Sequence, residues 1–211
     1  DNHYDKVLIF SHGLGDNPSS WIFFSKELKK EIKNKKIILT KAPNRKVTIN
    51  NGIKIPSWYD IKKIPIEPNN NENNEYIEES IKIIHQIIDN ELNNKIKSNQ
   101  IFLGGFSQGA SLSLVSGLLY TNANLGGIIM FSGYLLKNQL NNKLNNNDLP
   151  IFIGQGNKDN IVKYENAENL NNFLQKRISN ITLNIYDNMS HSVSMKERYD
   201  AINWLKQFIN N

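Results

Sequence analysis

No cysteine occurs in the 211 residues, which excludes disulfides, a thiol nucleophile and lipid attachment through a thiol of the chain itself. Histidine is scarce too, with four residues at positions 3, 12, 85 and 191. Without cysteine beside them, neither a metal site nor any other cofactor is expected. No apolar run is long enough to span a bilayer and no signal peptide is evident. The expected location is therefore cytoplasmic, although the chain opens Asp1-Asn2-His3 without methionine, which leaves an upstream targeting segment open. No basic helix with interleaved aromatics occurs, so nucleic-acid binding is not expected. The net charge of +5 instead suits anionic headgroups or acidic partners. Its densest cluster, Lys29-Lys30, Lys33 and Lys35-Lys36, reads equally well as a solvated helix end.

Hydrophobic residues make up 39% of the chain, on the polar side for a globular protein. Runs such as Asn69-Asn70-Asn71 and Asn145-Asn146-Asn147 account for part of that deficit and read as loops. No repeat or linker divides the sequence, so one domain over residues 1–211 is expected. Strand-like runs fall near 7–11, 37–42, 101–106, 127–132, 150–155 and 181–186. Helix-like segments fall near 19–33, 74–94, 109–120, 161–177 and 193–209. Ile77, Ile81, Ile84, Ile88 and Leu92 recur at helical spacing as a core stripe, with His85 at its border. Such alternation predicts an α/β fold, a mostly parallel central sheet with helices on both faces.

The most informative stretch is Gly105-Phe106-Ser107-Gln108-Gly109, between the apolar run Ile101-Phe102-Leu103 and a helix-like segment opening at Ala110. A G-x-S-x-G at a strand-to-helix junction is the nucleophile elbow of α/β-hydrolases. Side chains at the two glycine positions would collide with the neighbouring strand and helix. A triad in this architecture runs serine, acid, histidine, and His191 alone among the histidines follows Ser107. It lies in a polar loop after the run Ile181–Tyr186. A glycan at the sequon on Asn188 would crowd that loop, which again favours the cytoplasm.

Asp148, Asp159, Glu165, Glu168 and Asp187 all lie between Ser107 and His191. Catalytic groups in open α/β sheets sit beyond the carboxyl ends of strands. Asp159 has that position after Ile151–Gly154, whereas Asp148 lies at the amino end. Asp187 also ends a strand and is the competitor, only four residues from His191. Asp159 is preferred. The order His12, Asp60, Ser107 matches that of two-barrel serine peptidases, whose all-β scaffold does not fit this alternation. His12 instead belongs to His12-Gly13-Leu14-Gly15-Asp16, similar to a loop that supplies half of an oxyanion hole. The N–H groups of Leu14 and Gln108 are the candidate donors. Because both contacts are main-chain, changes to either side chain are expected to matter less than a backbone shift.

Together these segments resemble the acyl-protein thioesterases of the phospholipase/carboxylesterase family. The matching pieces are His12–Asp16, Ala42-Pro43, Pro56-Ser57-Trp58-Tyr59-Asp60, Leu103–Ala110, Gly156-Asn157-Lys158-Asp159-Asn160-Ile161-Val162 and the stretch around His191. The resemblance spans nearly the whole chain. It implies Ser107, Asp159 and His191 as the triad, Leu14 and Gln108 at the oxyanion hole, and hydrolysis of palmitoyl-cysteine thioesters on proteins. It also implies side activity on small acyl esters and lysophospholipids. A broad carboxylesterase would share every one of these residues.

Two departures stand out. The family's G-D-x-D-P reads Gly156-Asn157-Lys158-Asp159-Asn160 here, which predicts a looser loop around Asp159. The family's methionine-bearing tongue reads Ile49-Asn50-Asn51-Gly52-Ile53-Lys54-Ile55, which disfavours deep membrane insertion and leaves a transient surface contact. Candidates for an acyl groove are Ile53, Ile55, Trp58, Ile64, Ile66 and Leu135.

Overall fold

A computed structural model describes residues 4–67, 75–140 and 148–209. His3 and the asparagine runs at 69–71 and 145–147 lie outside these residues. Six strands form the main sheet: β1 (Lys6–Ser11), β2 (Lys35–Thr40), β5 (Ile101–Phe106), β6 (Gly127–Phe131), β7 (Ile151–Gly156) and β8 (Ile181–Tyr186). Their order is β2-β1-β5-β6-β7-β8, and every neighbouring pair is parallel. Parallel strands need crossovers, and helices supply them: α1 (Ile22–Glu31), α2 (Ile77–Asn93), α3 (Gln108–Leu119), a short α4 (Lys137–Leu140) and α5 (Tyr164–Leu174), while α6 (Met195–Lys206) follows the last strand.

The period-two geometry of a strand divides each apolar run between two cores. Val7 and Ile9, Ile101 and Leu103, Ile128 and Met130, Ile151 and Ile153 face the layer containing α2, α3 and α5. Leu8 and Phe10, Phe102, Ile129 and Phe131, and Phe152 face α1 and α6. A sheet covered on both faces requires such near-continuous hydrophobic runs. The parallel sheet with helices on both faces expected from the alternation is the one observed.

Local differences from the expected elements have simple causes. The segment expected as one helix over 19–33 opens as a 3-10 turn, Pro18–Trp21, before α1. Part of the basic cluster turns inward. Lys35 Nζ donates to the Lys29 carbonyl at 2.6 Å and to that of Ile32, closing the carboxyl end of α1. Lys36 pairs with buried Glu91 at 2.7 Å. The tongue is an antiparallel hairpin, β3 (Asn44–Val47) with β4 (Ile53–Pro56), turned through Asn51 and Gly52 at φ 54 and 75. Among the described residues no helix is long and apolar enough to cross a membrane.

Candidate active site

Residues after β1, β5, β7 and β8 meet at the carboxyl edge of the sheet. Ser107 connects β5 to α3 with φ 54 and ψ −119, a conformation that costs a non-glycine residue energy and persists only where packing enforces it. The flanking glycines make that turn sterically feasible. A Cβ on Gly105 would lie 2.4 Å from the Gly109 backbone, and one on Gly109 would lie 2.1 Å from the Ser11 carbonyl.

His191 Nε2 lies 3.0 Å from Ser107 Oγ, and its Nδ1 lies 2.7 Å from Asp159 Oδ2. An ionised carboxylate only accepts, so Nδ1 carries the proton and Nε2 is left to accept from the serine hydroxyl. The Phe106 ring covers the imidazole at 4.7 Å between centroids. Asp159 is 5% exposed. Its Oδ1 accepts from the Ile161 and Val162 N–H groups at 2.9 Å each. Its Oδ2 also accepts from Gln155 Nε2 at 3.2 Å. Burial alone would push this carboxyl up. The His191 hydrogen bond and charge, with the two backbone donors, outweigh burial and hold it below the usual aspartate value.

Asp187, the competing acid, accepts instead from Asn157 Nδ2 at 2.8 Å. The same asparagine accepts from the Asn188 N–H at 2.8 Å, while Asn157 N–H reaches the Tyr186 carbonyl and Lys158 N–H the Met189 carbonyl. The loops carrying Asp159 and His191 are therefore stitched together. The looser loop expected from the missing acid and proline is not what the structure has, because Asn157 itself supplies the ties.

The loop after β1 is braced in the same manner. His12 is 1% exposed. Its Nε2 accepts from the Ala42 N–H at 3.1 Å, so Nδ1 carries the proton and faces the Gly13 carbonyl at 2.8 Å. Burial lowers its pKa, in the direction of the neutral ring that accepting from Ala42 requires. Trp58 Nε1 donates to the His12 carbonyl at 2.9 Å and Gly15 N–H to the Pro56 carbonyl at 2.8 Å. Among the described residues Leu14 N–H makes no turn or loop bond to another backbone group. Gln108 N–H opens α3, where a helix leaves its first donors free.

The Gln108 side chain carries more than its main-chain role suggested. It is fully buried, accepts from Trp58 N–H at 2.9 Å, and donates to Ser57 Oγ and the Tyr59 carbonyl at 3.1 and 2.7 Å. This clasp fixes the 57–59 segment, and through Trp58 the His12 loop, against the first residue of α3. Substitution here would disturb the two candidate donors together. Gln155, on the acid side, was not singled out in the sequence, since nothing local distinguishes it from any other strand glutamine.

A cleft of about 270 Å³ opens at Ser107 and His191. Ile64 and Ile66 line it, joined by Leu14, Ile61, Tyr134 and Ile161. The other groove candidates lie elsewhere. Ile53 stands 62% exposed on β4, Leu135 packs in the core, and fully buried Trp58 is committed to the His12 carbonyl. Ile55 packs near Gly15, its Cδ1 3.7 Å from where a Cβ on that glycine would stand, and is not among the residues lining the cleft. Among the described residues no group of three or more metal-ligating side chains is gathered.

Against known proteins, a family model described as Phospholipase/Carboxylesterase matches residues 1–209. An acyl-protein thioesterase 1 of Yarrowia lipolytica is 34% identical over 210 residues, spanning 96% of this chain and 92% of that protein. A probable carboxylesterase of Oryza sativa subsp. japonica is 32% identical over 209 residues, spanning 96% of this chain and 77% of that one. Among solved structures, Arabidopsis thaliana SOBER1 superposes with a TM-score of 0.91 at 28% identity, covering 97% of this chain and 99% of that chain.

Proposed function

The chain belongs to the phospholipase/carboxylesterase family of hydrolases, and from that membership we propose a single-domain serine hydrolase that cleaves S-acyl thioesters of proteins. Ser107 is the nucleophile, His191 the general base and acid, and Asp159 the group that holds the imidazole tautomer. The observation that carries this reading is the continuous relay from Ser107 Oγ through His191 to Asp159, at 3.0 and 2.7 Å, beside an apolar cleft.

Ser107 attacks the acyl carbonyl while His191 takes its proton. The Leu14 and Gln108 N–H groups receive the developing oxyanion, each worth about 3–4 kcal/mol of barrier. Collapse of the tetrahedral intermediate breaks the C–S bond, and His191 passes its proton to the departing cysteine sulfur, a good leaving group with an ordinary thiol pKa of about 8.5. Water then attacks the acyl-enzyme with His191 again as base, and the acyl chain lies along Ile61, Ile64, Ile66 and Ile161. The hairpin, where Ile53 stands exposed beside Lys54, suits a transient contact with a membrane surface.

The thioester preference draws on relatives such as the Yarrowia lipolytica protein. The rice relative, named as a probable carboxylesterase, supports a second reading with the same residues acting on oxygen esters. Hydrolysis of matched thioesters and oxygen esters across short to long acyl chains, with Ser107→Ala as the blank, separates them. Preference for long-chain thioesters supports the first reading, and preference for short oxygen esters replaces it with the second.

A further inference from the structure

Glu197 lies at the third position of α6, six residues beyond His191, and is 0% exposed. Neither carboxyl oxygen has a hydrogen-bond partner among the described residues. The chain makes room for it with a glycine: a Cβ on Gly154 would lie 2.3 Å from Glu197 Oε1 and 3.0 Å from its Cδ. The carboxyl therefore rests on the backbone of β7, two residues before that strand ends and five before Asp159. Ser132, whose buried hydroxyl is also unpartnered, binds the Gly154 carbonyl through its N–H at 2.9 Å.

Its sequence context, Ser194-Met195-Lys196-Glu197, has the spacing of a capping box. Ser194 Oγ accepts from the Glu197 N–H at 3.1 Å, but the returning bond from the carboxyl to the Ser194 N–H is not made. A capping glutamate normally sits at the surface. Full burial against a strand glycine is not needed to start a helix.

We infer that Glu197 is a positioning residue for His191: its carboxyl, wedged between Gly154 and the first turn of α6, fixes where residues 191–194 run and so seats the imidazole between Asp159 and Ser107. This rests on the roles proposed above for those three residues. A buried carboxylate without donors is costly, and the group avoids that cost by staying protonated. Burial pushes its pKa up to about 8, and Asp159 and Asp200 add to the rise, while the neighbouring Ser194 backbone and Arg198 oppose it without either completing a hydrogen bond to the carboxyl. The groups facing it are Asp159 from the loop after β7, Arg198 and Asp200 on α6, and Tyr186 at the end of β8. Arg198 is itself turned to Glu27 of α1 at 2.7 and 2.9 Å, and Tyr186 donates to Asp200 at 3.0 Å. Ionisation places a second anion near Asp159 where no donor is bonded to it, and the first turn of α6 must shift to hydrate it.

The test compares wild type, Glu197→Gln, which keeps shape and neutrality, and Glu197→Ala, with Ser107→Ala as the blank. Two quantities are measured: kcat/KM for a short acyl ester from pH 6 to 9.5, and the thermal midpoint from pH 4 to 9. Wild type is expected to lose about tenfold in kcat/KM between pH 7 and 9 as a group of pKa near 8 ionises, with Glu197→Gln holding within about twofold. Glu197→Ala should lose roughly tenfold at pH 7 through a misplaced base. A shared alkaline limb in wild type and Glu197→Gln, or an unchanged rate in a folded Glu197→Ala, overturns the inference. The midpoint reads the carboxyl without reference to activity. Its stabilising contribution is full below the unfolded value of 4.5 and lost once pH has risen through about 8. That fall should be absent from Glu197→Gln, and parallel curves would contradict the buried, neutral state. Turnover retained by Ser107→Ala would instead bring down the catalytic reading, and the positioning role with it.

Discussion

Asp159, in the loop after β7, accepts four hydrogen bonds, from Ile161, Val162, Gln155 and His191. Glu197, in the first turn of α6, is as deeply buried and accepts none. The first is held below its ordinary pKa and the second is raised to about 8. Burial pushes both upward, so burial does not separate them. Donors do. In the proposed mechanism both carboxyls bear on one imidazole: an anion to stabilise its cationic form and a neutral wedge to hold its loop. Exchanging their protonation states would place an uncompensated charge behind His191 and an undirected tautomer in front of it.

The contrast can be broken most severely at Asp159. Asp159→Asn keeps the size of the side chain and should cost about 10⁴-fold in kcat with the fold retained by circular dichroism. Asp187→Asn should stay within about threefold, because Asp187 is occupied by Asn157. The reverse result would move the acid. Gln108 lies on Asp159's side of the comparison, a buried polar group with its bonds made. Gln108→Ala strands Trp58 N–H and leaves the Tyr59 carbonyl with the Ser57 hydroxyl alone of its two side-chain donors, and should cost about 10²-fold in kcat with a measurable loss of thermal stability.

Gln155→Leu sharpens the comparison by removing one donor from Asp159. Its expected cost is about tenfold in kcat, with the acid-side loss of stability moved to higher pH. The sign follows from the lowered pKa of Asp159. Stability from such a group is present above the unfolded value and lost as pH falls through the folded one. A weaker set of donors therefore brings the loss sooner. The smallest effect on rate belongs to Glu197→Gln at neutral pH, where the substitution should raise the thermal midpoint at pH 8 by about 3–6 °C.

Ser107 and His191 were legible because their signals are local or exclusive: two glycines around a serine, and one histidine after it. Asp159 was legible through its place at a strand's carboxyl end. The sheet followed from six apolar runs with helical segments between them. What the sequence hid depends on partners distant in the chain. The hairpin strands are only four residues long and β3 is mostly polar, and Arg45 is buried there because Glu79 pairs with it at 2.7 Å and Tyr76 stacks on it. Gln108 reads as a helix opener until residues fifty positions earlier close on its amide. Trp58 resembles a groove residue until its indole is taken by the His12 carbonyl. Glu197 reads as a solvated charge on an amphipathic helix, and only Gly154, on a strand before it, makes its burial possible.

The central claim is that acyl groups pass through Ser107. Acid-quenching the enzyme within its first turnovers on a long-chain acyl thioester, then mapping peptides by mass spectrometry, tests it directly. The account predicts the acyl mass on the peptide containing Ser107, accumulating further in His191→Ala supplied with a reactive ester and absent from Ser107→Ala. Acyl mass on another residue, or thioester turnover retained by Ser107→Ala, would contradict it.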